Sequence, residues 1–150
     1  MTKDSSRAKR CVAAIDLPDL RQRLSLMSEI PSFELFDGLA VFRPRGQLSL
    51  TDVMRLVKSA IAAAREQRLS KLIVVGTEID GLESPSIAAR HFMAREWAEA
   101  AQGVVRLAVV IEAEMIDPRK FGVAVARNFG MTSDVFESEA EAIAWLRNDC

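Results

Sequence analysis

Residues 71–76, Lys71-Leu72-Ile73-Val74-Val75-Gly76, decide the fold. Leu72 to Val75 is an uninterrupted apolar run, the pattern of a central strand buried on both faces. Such a strand needs helices to cover it, and the chain supplies one on each side in sequence. Upstream, Ser49 and Asp52 form a capping box, in which the acid three residues on reaches back to the cap N–H. The helix that follows carries Val53, Met54, Val57, Ala60, Ile61 and Ala64 on one face, with Asp52, Arg55, Lys58 and Arg65 off it. Downstream, the turn-forming stretch Gly76–Glu83 leads to a helix with Ser84 as its cap and Pro85 at its first position, running to about Ala101 and ending before Gly103.

The alternation continues. Val104 to Ile111 reads as a second buried strand. Asp117 and Pro118 cap and start a third helix, with Phe121, Ala124, Val125 and Phe129 as its core stripe and Gly130 as its stop. A short strand at 134–136 precedes a last helix capped by Ser138 and Glu141, from which Ala142, Trp145 and Leu146 face inward. Towards the N-terminus, Phe33–Phe36 and Leu39–Phe42 flank Asp37-Gly38, a strong hairpin signal because glycine readily takes the positive φ of a tight turn. Phe33 and Leu35, then Leu39 and Val41, keep the two-residue period of a strand face, and Gly46 closes the second strand. The expected fold is α/β: a small mixed, mostly parallel sheet with a leading β-hairpin, helices packed on it and right-handed crossovers. Residues 31–150 read as one domain. Residues 1–30 read as a frayed tail to Arg10 and a short helix over Asp16–Met27, with Leu20, Leu24 and Met27 at helical spacing, laid over the domain or serving as a partner-binding arm.

Composition narrows the class. An apolar fraction of 49% and a charged fraction of 27% belong to a globular chain. A formal net charge of −1, with acids and bases well mixed, gives no electrostatic pull toward nucleic acid or an anionic membrane. The short basic step Pro118-Arg119-Lys120 reads as a solvated turn rather than a nucleic-acid face. No stretch approaches the ~20 apolar residues of a membrane span, and no signal-peptide pattern follows Met1, so the expected location is the cytoplasm. Cys11 and Cys150 are expected as free thiols there. With one histidine, no multi-histidine metal site can form, and no cofactor is expected.

The candidate site is the carboxyl end of the central strand, where open α/β sheets bind ligands. The stretch from Gly76 through Glu83 to Ser86 offers Thr77, Asp80, Glu83, Ser84 and Ser86 beside a helix N-terminus, whose free N–H groups would stabilise a phosphoserine. Glu78, Asp80 and Glu83 would instead repel an anionic ligand, and the plain reading of Ser84-Pro85 is a helix start. The carboxylate spacing fails the calcium-loop pattern. His91 has no nucleophile at an obvious partner position and reads as structural. On the same helix Met93, Ala94, Trp97 and Ala101 mark the buried face with Arg90 among them, while Phe92 falls with Arg95, Glu96 and Glu99. Arg90 and Phe92 are thus out of register, as residues facing a ligand or a partner often are.

The order of elements, the step Gly46-Gln47-Leu48-Ser49, and Val135-Phe136 with Ala142-Ile143-Ala144-Trp145-Leu146 resemble the SpoIIAA-like proteins over residues 32–147. These are bacterial relatives of the STAS domain of anti-sigma-factor antagonists and share a superfamily with the CRAL-TRIO lipid-transfer domains. In STAS antagonists a phosphorylatable serine lies in an Asp-Ser-Ser-Gly stretch. The matching stretch here is Glu83-Ser84-Pro85-Ser86, so the switch position is a proline and only Ser84 or Ser86 could carry the phosphate. The resemblance implies a non-enzymatic regulatory module that binds a protein partner through residues 76–90. Its second implication, from the CRAL-TRIO side, is a carrier of an apolar or lipid-like ligand, which needs a cavity that 150 residues leave little room for. Homodimerisation through an edge strand or the Phe92 face is compatible with either.

Overall fold

Alternation of side chains along the central strands forces a layered structure. The computed structural model describes residues 33–36 and 38–148; the tail and helix expected over residues 1–30 and both cysteines lie outside these. Five strands, β1 (Phe33–Phe36), β2 (Leu39–Phe42), β4 (Lys71–Val75), β6 (Arg106–Val110) and β7 (Ser133–Phe136), make one sheet in the order β1-β2-β4-β6-β7. β1 pairs antiparallel with β2, and every other pairing is parallel. Two further strands, β3 (Gly46–Gln47) and β5 (Ile79–Asp80), form a separate parallel pair. The helices are α1 (Leu50–Glu66), α2 (Ile87–Ala101), α3 (Phe121–Asn128) and α4 (Glu139–Arg147). None of the described helices is long and apolar enough to cross a membrane.

The expected α/β fold with a mostly parallel sheet and a leading hairpin is the one observed. Phe36 pairs with Leu39 across the turn, where Gly38 takes φ +83°, a conformation costly for residues with a Cβ. The capping box at Ser49 is formed in both directions, with the Ser49 hydroxyl accepting from the Asp52 amide at 3.1 Å and the Asp52 carboxylate from the Ser49 amide at 3.2 Å. One face of the sheet, through Ala40, Phe42, Leu72, Val74 and Leu107, packs against α1, α2 and α3. The other, through Leu39, Val41, Ile73, Val75, Ala108 and Val110, packs with Ala142 and Leu146 of α4. Trp97 ties α2 to α1 by donating its indole N–H to the Met54 carbonyl at 3.1 Å, so burying this ring strands no polar atom.

Several local expectations shift. Leu35 is 57% exposed although it keeps the strand period, because β1 is an edge strand. Gly46 opens β3 instead of closing β2. The second buried strand starts at Arg106, and Val104 is exposed. α3 begins at Phe121, not Pro118: the Asp117 carboxylate accepts from the amides of Arg119 and Phe121, making a turn, and Lys120 enters the helix at φ +51°. Of the expected stripe, Val125 is buried together with Ala126, whereas Ala124 and Phe129 are exposed.

α4 is anchored at both ends. At its start Glu139 takes a two-pronged ion pair from Arg43 just past β2, with N–O distances of 2.6 and 2.8 Å. Near its end Arg106 donates to the Leu146 carbonyl at 3.3 Å and stacks its guanidinium 4.4 Å from the Trp145 ring centroid. The fully buried Leu146 contributes about 2 kcal/mol, more than the half-exposed ion pair at about 1 kcal/mol. Burial therefore holds the helix, and the pair fixes where it starts. Hydrogen bonds from Arg43 hold the Glu139 carboxyl below its ordinary 4.5. A carboxyl depressed in the folded state stabilises fully above its unfolded value and loses that contribution as pH falls through the folded one. Urea titrations should show Glu139→Gln less stable than the parent by about 1 kcal/mol at pH 7, with the difference closing as the pH falls below about 4.

Candidate functional site

The path from β4 to α2 is pinned at successive points. The Gly76 amide donates to the Val110 carbonyl at 2.7 Å, at a spot where a Cβ would lie 3.2 Å from the Ile111 side chain. The Gly46 amide donates to the Glu78 carbonyl at 3.1 Å, Arg45 pairs with the Glu78 carboxylate at 3.0 Å, and Ile79–Asp80 run beside Gly46–Gln47. The turn-forming stretch expected here thus contains a short strand. Ile79 and Leu82 pack inward, whereas Thr77, Asp80, Glu83, Ser84 and Ser86 are all exposed.

The helix start differs from the expected one. Ser86, not Ser84, is the cap: its hydroxyl accepts from the Ala89 amide at 3.1 Å, and α2 begins at Ile87. Arg90 uses both residues ahead of the helix, donating from Nε to the Pro85 carbonyl at 3.1 Å and from Nη2 to the Ser84 hydroxyl at 2.8 Å. The guanidinium thereby folds residues 84–85 back against the first turn. His91 is exposed and lies against α3, its ring centroid 6.5 Å from Phe121 and 6.1 Å, edge to face, from Phe129. Phe92 is 45% exposed, as its place on the polar side implies, with the Arg95 guanidinium 5.9 Å from its ring centroid. Ile87, one turn before His91, is 69% exposed. Sequence reasoning did not single out Ile87, although an isoleucine at the first position of a helix with alanines behind it was a visible signal.

A cavity of about 140 Å³ lies behind this segment, between the sheet and α1, α2 and α3. Its wall is apolar, built from residues such as Val57, Leu107, Met93 and Trp97. Gly76, Ala94, Gly122 and Ala126 are among its lining residues, and a Cβ at Gly122 would meet no atom within 4 Å. The space is small, as expected of a chain of 150 residues, but it is present. Four charged residues reach its lining: Arg90, Asp117, Lys120 and Asp134. Lys120 and Asp134 pair at 2.8 Å. Asp117 accepts from the Phe121 amide at 2.8 Å and the Arg119 amide at 3.3 Å, which hold its carboxyl below the usual carboxylate range. Of the candidate site residues named from sequence, Arg90 alone lines the cavity. No group of three potential metal-ligating side chains occurs among the described residues.

A family model described as SpoIIAA-like matches residues 39–147. Among solved structures, the anti-sigma factor antagonist SpoIIAA in its unphosphorylated form is 18% identical, with 76% of this chain and 94% of that chain covered and a TM-score of 0.40. No curated protein gives a significant match.

The assignment of the cap is open to measurement. Replacing Ser86 with alanine should cost about 1 kcal/mol in denaturant unfolding, the ordinary loss for a helix cap. Ser84→Ala, which removes only an exposed hydrogen bond, should stay within about 0.5 kcal/mol of the parent.

Proposed function

We propose that this chain, which belongs to the SpoIIAA-like family, is a non-enzymatic regulatory module that binds a protein partner through residues 76–90. The observation that carries the reading is the combination of an anchored backbone with outward side chains. Residues 76–86 are fixed to β6, to the 45–47 segment and to Arg90, yet Thr77, Asp80, Glu83, Ser84 and Ser86 point to solvent. A surface ordered before binding loses little conformational entropy on contact. Ile87 and Phe92 place apolar area beside it, of the kind that interface cores use. Of the two hydroxyls, that of Ser86 is committed to the helix cap and that of Ser84 to Arg90; a phosphate on either would meet cationic or N–H partners. The cytoplasm is the compartment that suits such a role.

A second reading has its own support. The apolar cavity is where a carrier would hold a small apolar or lipid-like molecule, and the charged residues at its edge would set orientation. The two readings share the 82–90 segment, since Leu82, Pro85 and Arg90 line the cavity.

Native mass spectrometry of the protein isolated gently from its own host distinguishes them. A complex with a second protein is expected, together with its loss in an Ile87→Arg, Phe92→Glu double variant that keeps the parent circular dichroism spectrum. A complex that survives those two substitutions would put the interface elsewhere. A small-molecule adduct with no protein partner would favour the carrier.

A further inference from the structure

We infer that the cavity is a binding site for a small apolar carboxylic acid, with its hydrocarbon part against Trp97 and Met93 and its carboxylate on Arg90. This deepens the second reading and rests on it. Size sets the first limit. An apolar cavity of about 150 Å³ accommodates one benzene ring, so the space of about 140 Å³ suits a ring or a chain of about six carbons.

Charge sets the second. Four charged side chains meet the cavity, and three are already engaged. Lys120 and Asp134 neutralise one another at 2.8 Å, and the Asp117 carboxylate is occupied by two backbone amides. Asp117 is near enough to Arg90 to feel its charge, but its accepting oxygens are aimed at the start of α3. Arg90 is half-buried, and its two hydrogen bonds go from Nε and Nη2 to neutral oxygens, the Pro85 carbonyl and the Ser84 hydroxyl. A guanidinium has five N–H donors, so Arg90 can add a carboxylate without giving up either. A charge-assisted bond of that kind is roughly twice as strong as a neutral one. An alcohol of the same chain length would fill the same space without it.

The site also explains why Arg90 stands on the buried side of α2. From that position its stem covers the apolar wall while its head stays at the edge. Its bonds to residues 84–85 then make ligand and partner surface neighbours through one side chain.

The test is methyl NMR on protein labelled at methionine, because Met93, Met115 and Met131 line the cavity and Met54 does not. Sodium hexanoate and 1-hexanol are titrated in parallel. Hexanoate should shift the three cavity methyls and bind at least tenfold more tightly than hexanol. Arg90→Gln should remove that difference, and Arg90→Lys should keep most of it. Ser84→Ala, which cuts the bond between residue 84 and the guanidinium but leaves the charge, should keep it fully. Equal binding of hexanoate and hexanol, or a preference that survives Arg90→Gln, would overturn the acid while leaving an apolar site in place. Binding of neither, or shifts confined to Met54, would overturn the site and the carrier reading together.

Discussion

Two-sided burial of β4 and β6 is the constraint on which everything else in this protein depends. Ile73 and Val75 point to one side and Leu72 and Val74 to the other, and all four are almost wholly excluded from water. Hydrogen-bonded on both flanks and covered on both faces, such strands leave the chain no choice about where its helices go. Among the described residues, three helices cover one face and one covers the other. Three helices over one face meet along seams, and at the carboxyl ends of the strands one seam opens into the cavity.

Arg90 joins the exposed segment ahead of α2 to the interior cavity. Its backbone amide belongs to the first turn of α2, its guanidinium holds the residues that lead into that turn, and its side chain borders the cavity. The exposed segment and the interior space thus share one side chain.

Much of the fold was legible in the residues because local and tertiary preferences agree. Asp37-Gly38 between two strand-like runs allowed one turn, and Ser49 with Asp52 marked a helix start that nothing nearby contests. Where two local solutions competed, the sequence did not show which would form. Ser84-Pro85-Ser86 offers two serines able to cap; Ser86 takes the cap, and the Ser84 hydroxyl accepts from Arg90 instead. Asp117-Pro118 could have opened α3 at once, but the Asp117 side chain bonds forward to Phe121 and postpones it. The out-of-register places of Arg90 and Phe92 were visible on a helical wheel. The cavity was not, because no residue encodes a void; it arises from how far three helices stand from a sheet.

The placement of α4 has a bearing on how the protein is made. Synthesis runs from β1 to β7 before α4 appears, so the five strands and the three helices of the other face exist first. Until then the Ile73, Val75, Ala108 and Val110 side of the sheet lacks Ala142 and Leu146. A chain stalled after β7 therefore carries an apolar sheet face without the helix that seals it, the kind of surface that chaperones hold and that proteases and aggregation exploit. The nine residues of α4 cover that face.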